Sequence, residues 1–98
     1  MIWIKVYNTQ GEIILAACDD ELLGRRFEDG ELQLEVSESF YGGDNVSRET
    51  FVEKLKSATI ANIVGEKTVN IAVELGMVHE NCLLEIAGVP HAQIAKII

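Results

Sequence analysis

The sequence predicts one α+β domain: a mixed β-sheet that opens with a β-hairpin, with two main helices and one short helix packed on it. Three observations carry that prediction. The chain begins with two extended patterns joined by turn residues, the mark of a hairpin. Strand and helix patterns then interleave without the regular βαβ repeat of a doubly wound sheet. The 98 residues, 48% of them apolar, are enough for one core, so residues 1–98 are read as a single domain.

Ile2, Ile4 and Val6 alternate with Trp3, Lys5 and Tyr7, a period of two with one wholly apolar face, which predicts a strand over 2–7. Asn8-Thr9-Gln10-Gly11 is turn chemistry, and residues 13–18, apolar on both faces, pair back as a central strand. Asp19 or Asp20 offers a carboxylate N-cap to a short helix anchored by Leu22, Leu23 and Phe27, which Gly24 ends early. Leu32, Leu34 and Val36 alternate with Gln33 and Glu35 in a strand over 31–37, and 37–44 reads as a loop. Ser47 is placed to cap a helix over 47–58, with Val46 and Phe51 as a hydrophobic staple and Phe51, Val52, Leu55 and Ala58 on its buried side. Residues 59–64 fit a short buried strand or a turn of helix by periodicity alone, and the strand is favoured. Glu66, Lys67, Asn70 and Glu74 form one narrow polar stripe on a helix over 66–75, and Gly76 stands at its C′ position. Cys82, Leu84 and Ile86 alternate in a further strand, Gly88-Val89-Pro90 turns the chain, and 91–97 is extended. Pro90 lacks an N–H and is expected outside the ladder.

The net charge is −8, and residues 12–53 carry all of the imbalance, with twelve acids against three bases. Such a surface repels phosphate backbones, because non-specific nucleic-acid binding rests on many Lys and Arg contacts; non-specific DNA binding is therefore set aside. The same charge fits adaptation to a salty cytoplasm, since net charge speaks first to solubility. No apolar run reaches the roughly 18 residues of a spanning helix. Residues 1–7, interrupted by Lys5, are too short for a signal-peptide core. A cytoplasmic protein without membrane association is expected. Cys18 and Cys82 lie far apart in apolar surroundings, which fits two buried, reduced thiols better than a disulfide framework.

Asp19, Asp20 and Glu21 follow a buried strand, a place where ligands and catalytic acids sit in open sheets and where helix caps sit too; capping is the leading reading, ahead of a metal or acid–base role. Cys18, His79, Cys82 and His91 offer four zinc-ligand types, but only His79-x-x-Cys82 has the close spacing of a structural site, so no metal is expected. A Cys18–His91 nucleophile would need a thiol of lowered pKa, whereas an apolar strand raises it. Gly65-Glu66 opens a helix but lacks the second glycine and the lysine of a phosphate-binding loop, and no cofactor is expected. Phe40-Tyr41-Gly42-Gly43 is a recognition loop or, more often for such a pattern, a tight turn with an aromatic tucked into the core. Val89-Pro90-His91-Ala92-Gln93 presents His91 and Gln93 from a stiff turn as contact residues, or His91 as a donor that closes the turn. Tyr41, Gly42, Gly43, His91 and Gln93 are thus the candidate binding surface, and Asp19 with Asp20 the alternative acidic site.

Residues 16–24 (Ala-Ala-Cys-Asp-Asp-Glu-Leu-Leu-Gly), 40–43 (Phe-Tyr-Gly-Gly), 58–66 (Ala-Thr-Ile-Ala-Asn-Ile-Val-Gly-Glu) and 88–93 (Gly-Val-Pro-His-Ala-Gln) follow one another across nearly the whole chain. Together they resemble a family of small archaeal proteins known only as domain of unknown function number four hundred and twenty-four. The resemblance implies an archaeal cytoplasm and transfers no activity and no functional residue. Three readings of function stand. The leading one is a non-enzymatic binding or accessory module of the translation or information-processing machinery, contacting a protein or a structured RNA through one face. The second is a small hydrolase or transferase using Asp19 or Asp20 with His91, which requires those groups to converge in one pocket. The third is a structural homo-oligomer joined along an exposed sheet edge; the oligomeric state itself is not legible from the sequence.

Overall fold

The computed structural model of the chain describes residues 1–96. β1 (Ile2–Thr9) and β2 (Glu12–Asp19) form the opening hairpin, paired in register from Ile2 opposite Asp19 to Thr9 opposite Glu12. A second hairpin, β3 (Arg26–Asp29) with β4 (Leu32–Glu35), stands apart as its own two-stranded sheet. There follow α1 (Glu38–Tyr41), β5 (Asp44–Val46), α2 (Arg48–Ser57), β6 (Ile60–Val64), α3 (Glu66–Glu74), β7 (Leu84–Ile86) and β8 (Val89–Ala95). The main sheet runs β5-β1-β2-β6-β8-β7, with β2 and β6 parallel and every other neighbouring pair antiparallel. It is the mixed sheet expected, on which two main helices and one short one are packed.

Each face of this sheet has its own core, because strand side chains alternate between faces. On one face Ile2, Ile4, Leu15, Ala17, Ala61, Ile63 and Ala92 meet Phe51 and Leu55 of α2 and Val69, Ile71 and Ala72 of α3. On the other, Ala16, Cys18 and Val64 meet Leu22, Leu34, Val36 and Tyr41, contributed by the second hairpin, its flanks and α1. Full burial of a side chain the size of Phe51 or Leu55 contributes about 1.5–3 kcal/mol.

The two main helices end as their sequences require. Ser47 Oγ accepts from the Thr50 N–H at 3.3 Å, and Lys54 and Lys56 sit in the last turn of α2, where cations complement the helix dipole. At the end of α3 the Gly76 N–H donates to the Val73 carbonyl and the Met77 N–H to the Ala72 carbonyl, both at 3.0 Å. That is a Schellman closure around Gly76, whose φ is +72°.

Four expectations are corrected. The short helix after β2 does not form: residues 20–22 make a single 3-10 turn, and Phe27 lies in β3. The chain is drawn out by long-range pairing instead, with the Gly24 N–H donating to the Val36 carbonyl at 2.7 Å and the Val36 N–H to the Arg25 carbonyl at 2.9 Å. The supposed loop over 37–44 holds α1, capped by Ser37 Oγ accepting from the Phe40 N–H at 3.3 Å, and the first residue of β5. Cys82 is exposed on a 3-10 turn (Glu80–Cys82) rather than buried in a strand. Pro90 lies inside β8, but β6 pairing stops at Val64 opposite His91, so its missing N–H falls just beyond the end of β6, where nothing requires it.

Residues 59–64 take the strand form, as β6. Among the described residues no helix is long and apolar enough to cross a membrane.

The β1–β2 turn holds a testable strain. Gln10 sits at φ +49° ahead of Gly11 at +80°, the two left-handed positions of a two-residue hairpin turn, where Asn is far better tolerated than Gln. Gln10→Asn should raise stability by about 0.5–1 kcal/mol, seen as a higher urea midpoint at unchanged slope. A lower midpoint would contradict this reading of the turn.

Candidate functional site

The carboxylate of Asp19, at the end of β2, is 3% exposed. One oxygen accepts from the Lys67 N–H and the other from the Thr68 N–H, both at 2.9 Å. These are first-turn amides of α3, which lack partners inside the helix. Gly65, at the N-cap position, supplies no side chain, so Asp19 caps α3 from 46 residues away along the chain, and its charge meets the positive end of the helix dipole. Gly65 is obligatory here: its φ is +112°, and a Cβ at that position would collide with the Asp19 carboxyl group. Thr68 Oγ1 donates to the Val64 carbonyl at 2.8 Å, and the Gly65 N–H donates to the Pro90 carbonyl at 2.9 Å. The ends of β2, β6 and β8 are thereby joined at one point. Asp19 therefore does cap a helix, but α3 rather than the short helix expected beside it.

A small cavity of about 140 Å³ lies over this junction, with the exposed acids Glu21 and Glu66 at its rim and Gly88 and Pro90 on its far wall. Asp20 is exposed and accepts from Asn45 Nδ2 at 3.0 Å. His91 is paired with Val64 in β8 and faces the second-hairpin side, whereas Asp19 shares its face with Leu15 and Ala17 and turns toward α3. Asp19 and His91, one of the two pairs the hydrolase reading allows, thus lie on opposite faces of the sheet. His91 is half-buried, and burial lowers its pKa below the usual histidine value. His79, whose Nδ1 accepts from the Asn81 N–H at 3.1 Å, and Cys82 sit on an exposed turn away from buried Cys18. Among the described residues no three His, Cys, Asp or Glu side chains gather as a metal site.

The aromatic turn is drawn inward. Tyr41 is 5% exposed and packs edge-on against Phe40 at 4.9 Å, while Phe40 stacks on Tyr7 at 5.5 Å. Burial first, then Cys18 and Tyr7, raises the Tyr41 hydroxyl to about 12. Gly42 and Gly43 are there for close approach: a Cβ on Gly43 would stand 2.5 Å from the Ile4 carbonyl, and one on Gly42 2.5 Å from the Glu38 carbonyl. Of the five residues expected to form one surface, Gly43 and Gln93 are exposed, Gly42 and His91 are half-buried, and Tyr41 is buried.

Gln93 belongs to a feature not foreseen. The face of β2, β6 and β8 that carries the second hairpin is covered only at one end. Toward the other end run the cross-strand row Ile14–Ile60–Ala95 and, beside it, Asn62 and Gln93, which extend the row that begins at buried Ala16. Ile14 and Ile60 are half-buried and join neither core. The alternation in 13–18, apolar on both faces, was the one signal of it in the sequence, since it implies a cover for each face without saying how far each cover extends.

These features define a small α+β protein with a mixed six-stranded sheet, a helix cap supplied by a residue distant in the sequence, and a partly open sheet face. A family model described as a protein of unknown function, DUF424, matches residues 7–97, and the chain belongs to that family. It is also similar to a solved structure described as an uncharacterized conserved protein from Methanopyrus kandleri, at 26% identity and a TM-score of 0.81, over 99% of this chain and 95% of that one. No curated protein matches the chain.

Two outcomes follow from this geometry. Asp19→Ala should cost about 2–4 kcal/mol, the loss of a cap and of charge-assisted bonds to buried amides, while Asp20→Ala stays within about 0.5 kcal/mol. Urea unfolding of both variants checks this, and equal effects would refute the assignment of the cap. Burial, with Asp19, Asp20 and Glu21 adding, raises the Cys18 thiol to about 12, so at neutral pH almost none of it is thiolate. A thiol reagent should modify Cys82 in the native protein and Cys18 only on unfolding; rapid native modification of both would contradict the burial.

Proposed function

We propose that this protein is a non-enzymatic binding module that takes a partner protein on the open strip of the β2–β6–β8 face. The observation that carries the reading is the strip itself: Ile14, Ile60 and Ala95 beside Asn62 and Gln93, on the central strands of the sheet, where side chains are ordinarily covered. Apolar groups bordered by amides suit a protein interface, with the isoleucines as anchors and the amides supplying directional bonds at the rim. Rigid strands also hold these side chains in place, which lowers the entropy lost on binding.

Charge favours a protein over RNA. Lys5 Nζ donates to the Ser39 carbonyl and Lys96 Nζ to the carbonyls of Leu55 and Lys56, so both lysines are already engaged within the fold. Glu28, Asp29, Glu31 and Glu35 of the second hairpin and its turn are exposed and would steer a basic partner toward the molecule. Proteins of the translation and information-processing machinery are basic because they bind nucleic acid, which makes that machinery of an archaeal cell the narrower setting of this proposal.

Immobilised wild-type protein, Ile60→Asp, Gln93→Arg and the hairpin control Glu31→Ala, each checked for an unchanged circular-dichroism spectrum, should be compared in an archaeal lysate. A protein held by wild type and control but reduced at least about tenfold by both strip variants is the expected result. Identical recovery on all four overturns the proposal. Dimerisation of the purified chain that Ile60→Asp abolishes also overturns it, by assigning the strip to self-association.

A further inference from the structure

A second cavity lies on the α2–α3 side of the sheet, between the starts of β1, α2 and α3. Its volume is about 340 Å³, inside the range of roughly 300–1,000 Å³ typical of small-molecule sites. Its floor is apolar, made by Ile2 and Ile71, with Met1 as a wall; its polar groups are Ser47, Arg48 and Lys67. In a chain of net charge −8 with eight bases, two bases from different helices converge on one apolar hollow, and no acid lines it.

The state of each group favours an incoming anion. Lys67 has no ion-pair partner among the described residues. Arg48 Nη2 meets Glu74 Oε2 at 3.1 Å, but both side chains are more than half exposed, a setting in which such a pair contributes little and exchanges readily. Ser47 Oγ is held by Thr50, accepting from its N–H and donating to its Oγ1. The nearest buried acid, Asp19, across from Ile2 in the sheet, has both oxygens on amides of α3.

We infer that this cavity binds a small carboxylate with a compact apolar body, the carboxylate meeting Arg48 and Lys67 and the body lying on Ile2 and Ile71. A carboxylate suits the guanidinium fork, which can bind it through two parallel hydrogen bonds. A single negative charge also suits a strongly acidic protein better than a phosphate, whose higher charge raises the long-range repulsion. This site is separate from the open strip, and neither reading depends on the other.

The test is a titration of the intact chain followed by amide NMR shifts, with hexanoate as the probe. Hexanoate should give saturable shifts centred on Arg48, Lys67 and Ile71. Hexanol, with the same body and no charge, and inorganic phosphate, with charge and no body, should each bind at least about tenfold more weakly. Arg48→Gln and Lys67→Gln should each weaken hexanoate several-fold, and Lys54→Gln, at the far end of α2, should leave it unchanged. Absence of saturation, equal binding of hexanol or phosphate, or variants that bind as the wild type does would each overturn the assignment.

Discussion

The structure depends on one carboxylate. Asp19 is buried, charged and bonded to two amides at the start of α3, and those three properties require one another. An unpaired buried carboxylate would be costly, and so would the buried Thr68 amide without its partner. Brought together, they satisfy each other and add the favourable meeting of charge and dipole. The consequences reach the neighbouring strands. Gly65 must be glycine so that the carboxylate can approach, its N–H is then free to reach the Pro90 carbonyl, and Thr68 returns a bond to the Val64 carbonyl. One side chain thus sets the end of β2, the turn out of β6 and the entry to β8.

With that junction in place the two faces of the sheet diverge. The α2–α3 face is closed by Phe51, Leu55, Val69 and Ile71. The opposite face is covered by elements too short to reach across it: a four-residue helix and a two-stranded hairpin. Two surfaces result, an apolar and amide strip on the open face and a hollow with two cations where β1, α2 and α3 begin. They lie on different sides and differ in chemistry, one suited to a protein surface and the other to a small anion.

Much of the fold was legible because periodicity reports burial directly. The strand at 2–7, the apolar run at 13–18, Ser47 before its helix and Gly76 after 66–75 all appear in the structure, within a residue or two, as elements or caps. The failures cited here arose where a pairing or capping partner, rather than local preference, decided the element. Arg26-Phe27-Glu28-Asp29 has weak strand character and becomes β3 only because β4 pairs with it. Residues 19–22 looked like the start of a helix because carboxylates favour that place, yet Asp19 belongs to a helix that begins with Glu66. A trace of this was present: Gly65 opens α3 without Ser, Thr, Asp or Asn, and a helix lacking its own cap needs one from elsewhere. At the candidate site, Gln93 was legible as an exposed residue, whereas Tyr41 turned inward, since a turn pattern does not say which way its aromatic faces.

Native-state hydrogen exchange at the Lys67 and Thr68 amides tests the role of Asp19 most directly. First-turn amides of a helix ordinarily exchange fast, because they have no partner within it. Here both should exchange only through global unfolding, with protection close to that of the β6 amides. Exchange at the rate of a frayed helix end, orders of magnitude faster than β6, would contradict the claim that this carboxylate holds the junction.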